Sequence, residues 1–171
     1  AAARLFPLLA QTSELVWSRI VTATPPIAAR FANPRTIDVN NYSFREQPGD
    51  ADQPGALLAS PVYDIAYVGA IATTRGVMEL LAAADQLSAK RPLRLAMAGR
   101  FMPESLQAEA HRQPGWKCVD FLGWTSHGEV RQLLKRSRIG VVPLHPLPRY
   151  VESQPVKLFE YMAAGIPVVA S

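Results

Sequence analysis

The stretch "YDIAYVGAIATTRGVMELLAAADQLSAKRPLRLAMAG", residues 63–99, decides the fold. It opens with "YDIAYV" and closes with "LRLAMA", two short apolar runs of the length and character of buried strands. Between them, "GVMELLAAADQLSAK" spaces its apolar residues at the period of a helix. A strand, a crossover helix and a second strand predict a parallel pair that is buried on both faces.

The same alternation continues to the end of the chain and predicts five strands alternating with four helices. Such a pattern indicates an α/β fold with a doubly wound parallel sheet. Ser126 and Glu129 predict a capping box at one helix start. The proline-rich stretch at residues 145–155 is predicted to be a loop. The further segments are strands "KCVDFLG", "IGVVPL" and "IPVVAS", and helices "ESLQAEAHR", "SHGEVRQLLKRS" and "VKLFEYMAA".

The first 62 residues follow a different pattern. "IVTAT" (20–24) and "TIDVN" (36–40) predict short strands, with a helix over residues 27–31 after two prolines. Residues 41–62 are rich in Pro, Gly, Asp and Gln, which is typical of a linker. The opening residues 1–19 are interrupted by charges and predict one or two amphipathic helices.

Composition limits the classes of function. Apolar residues make up 49% of the 171, charged residues 19%, and the formal net charge is +4. This balance predicts a buried core and favours anionic partners, namely phosphorylated small molecules or acidic lipid surfaces. No basic block with interleaved aromatic residues is present, so nucleic acid is not an expected partner. The single cysteine, Cys118, excludes an internal disulfide framework.

The turn "GAIATTRG", from Gly69 to Gly76, is the first candidate site. Ligands of open parallel sheets bind outside the carboxyl ends of the strands, where this turn lies. Gly69 lets a ligand approach the backbone, and Arg75 adds a charge beside the helix start, so the turn could hold a diphosphate. The alternative is an ordinary turn with one solvated arginine.

The closing stretch "YVESQPVKLFEYMAAGIPVVAS", residues 150–171, holds the second candidate site. Glu152 precedes the last helix and Glu160 lies about one turn inside it. Ionised carboxylates accept hydrogen bonds from vicinal sugar hydroxyls. The alternative is a solvated Glu152 and a Glu160 that pairs with Lys157. The core-facing stripe of this helix is predicted to contain the residues Phe159, Met162, Ala163 and Ile166.

Five segments in this order resemble the C-terminal half of retaining GT-B glycosyltransferases of family four. They are "YVGAI…RG", "LRLAMAG", "VDFLGW", "IGVVPL" and "KLFEYMAAGIPVVAS". The two glutamates match the E-x7-E motif of that family. The resemblance covers roughly residues 63–171. Residues 1–40 resemble the end of the N-terminal Rossmann-like domain of the same family, and 41–62 would be the interdomain linker.

The resemblance implies a role for each matching residue. Glu152 would contact the donor sugar, and Glu160 would hold the ribose hydroxyls. Arg75 would neutralise the donor phosphate, and Gly69 would allow its close approach. The remaining implied contacts are with the base, at Gly123 and Trp124, and with a phosphate, at Lys157. Trp124 could equally be a half-buried structural tryptophan.

The resemblance also implies the function of the parent protein. It would transfer a sugar, as a hexosyltransferase, from a nucleotide-diphosphate sugar to a glycan or lipid-linked acceptor. No cofactor or metal is expected. The protein would be cytoplasmic and could work peripherally at the inner face of the cell membrane. The alternatives are a nucleotide-sugar-binding module without turnover and a GT-B-fold sugar-nucleotide epimerase.

Two departures from the family pattern stand out. Many relatives carry an arginine directly after the first glycine of the turn, where this chain has Ala70. Arg75 then binds phosphate alone, or another basic residue replaces the missing one. The chain also ends inside a predicted strand, as expected of a fragment that is inactive alone. The three histidines, His111, His127 and His145, have no spacing typical of a metal site.

Overall fold

The computed structural model describes Thr12 and residues 16–40, 61–151 and 153–171. The chain divides into two compact units, one of Ala1–Tyr42 with Pro148–Gln154, the other of Ser43–Leu147 with Pro155–Ser171. Most of the predicted linker and of the predicted opening helices lies outside the described residues. The predicted domain bounds at residues 40 and 62 therefore stay a prediction.

The described residues form the following elements. The strands are β1 Ile20–Thr22, β2 Thr36–Asp38, β3 Tyr63–Val68, β4 Leu95–Ala98, β5 Val119–Gly123, β6 Ser137–Val142 and β7 Val168–Ala170. The helices are α1 Pro25–Ala28, α2 Val77–Ser88, α3 Leu106–His111, α4 His127–Lys135, α5 Pro148–Val151 and α6 Val156–Ala163.

In the first unit, β1 and β2 pair in parallel, and both strands were predicted. The helix between them is a single turn that begins at Pro25, two residues before the predicted start. Proline has no N–H to leave unsatisfied, so it suits a first helical position. The loop prediction for residues 145–155 is wrong in part, because α5 begins there at Pro148 for the same reason.

In the second unit, the strands form one parallel sheet in the order β5-β4-β3-β6-β7. The prediction of an α/β, doubly wound parallel sheet is confirmed. The predicted capping box is also present, since the Ser126 N–H donates to Glu129 at 2.7 Å and the Glu129 N–H donates to Ser126 at 3.4 Å.

Side chains of β3 alternate between two cores, one on each face of the sheet. Ile65 and Tyr67 join the core covered by α2 and α3. Ala66 and Val68 join the core covered by α4 and α6. This alternation follows from the two-residue period of a strand, and it explains why β3 is apolar without a break from Ile65 to Val68.

The predicted core stripe of α6 is partly wrong. Met162 is 61% exposed and Ala163 is exposed, whereas Tyr161 is completely buried and Ile166 is 3% exposed. The helix turns Tyr161 to the sheet because β6 has no side chain at Gly140. A Cβ at Gly140 would lie only 2.5 Å from the Tyr161 ring. The aromatic ring therefore fills the space above this glycine.

Among the described residues, no helix has the length and apolar character that crossing a membrane requires.

Candidate functional site

Each of the three neighbouring strands β3, β4 and β5 has a glycine at its carboxyl end. Gly69 follows β3, Gly99 follows β4, and Gly123 is the last residue of β5. The N–H of Gly69 donates to Ala98 O at 2.9 Å, and the N–H of Gly99 donates to Gly123 O at 2.7 Å. A Cβ at Gly99 would lie 1.8 Å from the carbonyl oxygen of Gly69, so only glycine allows this approach. At these glycines the carboxyl end of the sheet presents backbone without side chains, which gives a ligand room to come close.

The turn after β3 brings two predicted site residues together. Residues Thr73–Arg75 form a 3-10 turn, and Gly76, with a φ of 69°, begins α2. Nη1 of Arg75 lies 3.9 Å from the position that a Cβ at Gly69 would occupy. The guanidinium group is therefore held next to the bare backbone of Gly69, as an anion-binding turn requires.

The loop after β6 is fastened to this turn. The N–H of His145 donates to Thr74 O at 3.1 Å, and its ring Nε2 lies 3.0 Å from Oε1 of Glu79 on α2. A Cβ at Gly76 would meet the carbonyl oxygen of Pro143 at 2.0 Å. The sequence pattern did not predict the pairing of His145 with Glu79. Together these contacts fix the position of the turn that carries Arg75.

Helix α6 carries the remaining charged residues of the predicted site. Nζ of Lys157 lies 2.6 Å from Oε2 of Glu160, with the side chains 28% and 19% exposed. The structure thus contains the ion pair that was the alternative interpretation of Glu160. Both groups keep some access to solvent, so the pair does not prevent either of them from meeting a ligand.

Tyr161 anchors α6 to the end of β3. Its hydroxyl oxygen accepts a hydrogen bond from the N–H of Val68 at 2.9 Å. Burial raises the pKa of Tyr161, and the nearby Tyr67 and Glu160 add to the rise, whereas the bond from Val68 lowers it. The phenol is therefore neutral at physiological pH. Because Val68 directly precedes Gly69, this bond holds the neighbouring Glu160 at the same sheet end as the glycine turn.

Trp124 directly follows β5 and is 67% exposed. The alternative of a half-buried structural tryptophan is therefore wrong. The guanidinium carbon of Arg100 lies 5.9 Å from the centre of the Trp124 ring. Gly123 has a φ of 65°, and a Cβ there would have no heavy-atom neighbour within 4 Å. An exposed aromatic face with an open approach is suited to stacking with a planar group.

The predicted donor-sugar residue, Glu152, lies outside the described residues. The described part of the chain contains no group of three or more His, Cys, Asp or Glu side chains that could hold a metal ion. The sequence placed residues 99–103 among the loops at the carboxyl ends of the strands but gave Gly99 and Arg100 no role, because their relation to the first turn depends on which strand pairs with β3.

The fold and the position of these groups define a class of protein. The α/β fold with its five-stranded parallel sheet matches the domains of GT-B glycosyltransferases. The chain belongs to the family of glycosyl transferases group 1, whose model matches residues 63–171. This finding confirms the family assignment and supports a role in glycosyl transfer.

Solved structures with the same fold are distant in sequence. HepE from Anabaena, crystallised with UDP and glucose, is 17% identical, with a TM-score of 0.66 over 95% of this chain and 47% of its own. AviGT4, a glycosyltransferase involved in avilamycin A biosynthesis, is 19% identical, with a TM-score of 0.61 over 88% and 43%. WaaG, a glycosyltransferase involved in lipopolysaccharide biosynthesis, is 16% identical, with a TM-score of 0.60 over 89% and 44%.

At these identities the likeness establishes the fold alone. The chain spans less than half the length of each of these three structures. No curated protein matches the chain.

Proposed function

We propose that the full-length protein transfers a sugar from a nucleotide-diphosphate sugar to a glycan or lipid-linked acceptor, with retention of configuration. The observation that carries this proposal is the Arg75 guanidinium beside the bare backbone of Gly69, inside a segment that matches a glycosyltransferase family. HepE was crystallised with UDP and glucose, and TarM from S. aureus with UDP, which supports a nucleotide as the donor's leaving group.

Arg75 would stabilise the leaving group. When the bond between the sugar and the phosphate oxygen breaks, the departing nucleoside diphosphate keeps the electron pair and gains negative charge. A guanidinium held in place before the reaction stabilises that charge without reorganising, which is an efficient form of electrostatic catalysis. The contacts of His145 with Thr74 and Glu79 support this role, because they restrict movement of the turn.

The other predicted residues would bind the donor. Glu160 would accept hydrogen bonds from the ribose hydroxyls, and Lys157 would leave its ion pair to meet a phosphate. Trp124, with the open backbone at Gly123, would stack on the base. Glu152 would contact the donor sugar. No cofactor is proposed. The enzyme would act as a hexosyltransferase in the cytoplasm, and the excess of basic residues would suit peripheral work at the inner membrane face.

Transfer of labelled sugar by the full-length protein tests the proposal. UDP-, GDP- and ADP-sugars would be screened first by thermal shift, since a ligand that binds only the folded state raises its stability.

Glu152→Ala is expected to abolish transfer while nucleotide binding persists. Glu160→Ala is expected to weaken nucleotide binding roughly tenfold, the effect of one lost charged hydrogen bond. Glu104→Ala, an exposed change of the same charge, serves as the control.

The result also separates the two rival functions. Binding without transfer by the full-length protein would favour a binding module. Conversion of one nucleotide-sugar into its epimer, without transfer to water or an acceptor, would favour an epimerase. The isolated 171-residue chain is expected to bind the nucleotide without turnover, because half of the cleft belongs to the N-terminal domain in this architecture.

A further inference from the structure

We propose that Arg100 is a second diphosphate-binding residue of the donor site and that Trp124 holds it in position. The proposal rests on the proposed function and adds a residue that the family resemblance did not supply. It also identifies a basic residue that could bind phosphate in place of the arginine that many relatives carry at the position of Ala70.

The register of β3 and β4 places Arg100 opposite Ala70. The two strands pair in parallel, with Val68 opposite Ala98, and their extensions meet again in a bridge between Ile71 and Phe101. Each step along one strand is matched by one step along the other between these two points. The N–H of Ile71 donates to the carbonyl of Arg100 at 2.8 Å, which confirms that the backbones stay paired at this position.

Among the described residues, the guanidinium of Arg100 makes no ion pair that would stabilise the fold. Among residues 61–151 and 153–171, no carboxylate forms an ion pair with it, and its side chain is exposed beside Trp124. An exposed cation–aromatic contact contributes only about 0.5–1 kcal/mol. The contact also leaves the N–H donors of the guanidinium available, because the ring faces the positive charge but accepts no hydrogen bond in the guanidinium plane.

The surroundings of Arg100 suit a nucleoside diphosphate. In such a molecule only the ribose separates the base from the first phosphate, so a cation next to the base platform is within reach of the phosphates. Arg100 follows Gly99 in the chain, and Nη1 of Arg75 lies 3.9 Å from the Cβ position of Gly69, so the two arginines belong to the two turns whose glycines touch. A diphosphate at that point would meet a cation from each of two adjacent turns, and both bind phosphate bidentately.

Isothermal titration of the full-length protein with UDP, GDP and ADP, and with the corresponding monophosphates and nucleosides, tests this assignment. We expect Arg100→Ala to weaken diphosphate binding roughly ten- to a hundredfold and nucleoside binding by less than twofold. Arg100→Lys should recover part of the loss, since it keeps the charge but not the planar fork. Trp124→Ala should weaken nucleoside binding, because it removes the stacking surface, and should weaken diphosphate binding further, because Arg100 loses the ring that holds it.

Arg112→Ala is the matched control. It changes the net charge equally, but Arg112 directly follows α3, where the parallel crossover from β4 returns the chain toward the amino end of β5. Unchanged diphosphate affinity in Arg100→Ala, alongside a loss in Arg75→Ala, would overturn the assignment of Arg100 and leave the proposed function intact. A wild-type protein that binds none of the three diphosphates would overturn both.

Discussion

Tyr161 shows how one residue can link the core to the candidate site. Its ring fills the space above Gly140, and its hydroxyl satisfies the N–H of Val68, the last residue before the glycine turn. The side chain is fully buried, so no water can replace this bond if it is lost. The hydroxyl therefore stabilises the end of β3, where the donor is proposed to bind.

Tyr161→Phe is expected to lower the free energy of unfolding by about 1–2 kcal/mol, because it leaves the buried N–H of Val68 without an acceptor. Urea unfolding followed by circular dichroism measures the change. The ring volume is kept, so the slope against urea should not change. An unaltered midpoint would show that Val68 finds another acceptor.

Gly140 and Tyr161 are expected to be energetically coupled. Gly140→Ala alone introduces a methyl group 2.5 Å from the Tyr161 ring and should cost roughly 1–3 kcal/mol. In a Tyr161→Leu background, the smaller side chain leaves room for the methyl group, so the same change should cost less. Urea unfolding of the four proteins in this double-mutant cycle measures the coupling, and strict additivity would contradict the packing described here.

The elements of the second unit were largely predictable from local pattern, and their contacts were not. Strands and helices follow from apolar periodicity, and the start of α4 follows from Ser126 and Glu129. The face of α6 was predicted wrongly, because helical spacing allows Met162 or Tyr161 to face inward. The choice depends on Gly140, which lies on another strand. Arg100 was missed for the same reason, since its relation to Ala70 depends on strand pairing.

The capping box at the start of α4 makes one pH-dependent contribution to stability. Hydrogen bonds from the backbone N–H and then from the hydroxyl of Ser126 lower the pKa of Glu129 below its usual value. A carboxylate whose pKa is lowered in the folded state stabilises the protein above its unfolded pKa. That contribution is lost as the pH falls through the folded pKa.

Glu129→Gln is therefore expected to be less stable than the wild type at pH 7, and the difference should disappear as the pH falls through the lowered pKa. Urea unfolding at a series of pH values from 7 to about 3 measures it, the lower limit lying below the usual glutamate pKa. Glu104→Gln makes the same charge change on an exposed residue and should show no such trend. A difference for Glu129→Gln that stays constant with pH would show that the box does not depend on ionisation.

In the second unit as a whole, the carboxyl end of the sheet forms the candidate binding site and the amino end carries charged groups that stabilise the fold. The carboxyl end carries the glycine turns with Arg75 and Arg100. The amino end carries a cluster of charges centred on Asp64, the second residue of β3. The Asp64 carboxylate accepts hydrogen bonds from Arg91 at 2.9 Å and from the N–H of Arg94 at 3.0 Å, and Nε of Arg138 lies 3.6 Å away.

The Asp64 cluster is structural in character. Burial alone would raise the pKa of Asp64, but the hydrogen bonds from Arg94 and Arg91 and the charge of Arg138 outweigh it and lower the pKa. The carboxylate therefore stabilises the fold above its unfolded pKa, and this contribution is lost as the pH falls through the folded pKa. The cluster ties β3 to β6 and to the segment before β4, which fixes the register at the amino end of the sheet.

Asp64→Asn is accordingly expected to separate stability from binding. It should lower the free energy of unfolding by roughly 1–2 kcal/mol, because it weakens hydrogen bonds to a largely buried carboxylate whose partners are exposed. Gly69 follows Asp64 by five positions along β3, about 16 Å at the usual rise. Arg91 and Arg138 already balance the Asp64 charge locally, so at this distance its loss should affect the donor site only weakly.

Urea unfolding and nucleoside diphosphate titration of the full-length protein at 0.1–0.15 M salt, where the Debye length is about 8–10 Å, test both halves of this expectation. Arg75→Ala should give the opposite emphasis, with the greater loss in binding rather than in stability. A loss of binding in Asp64→Asn comparable to that in Arg75→Ala would mean that the two ends of the sheet are coupled. In that case the register at the amino end of β3 would control the geometry of the turn that follows its carboxyl end.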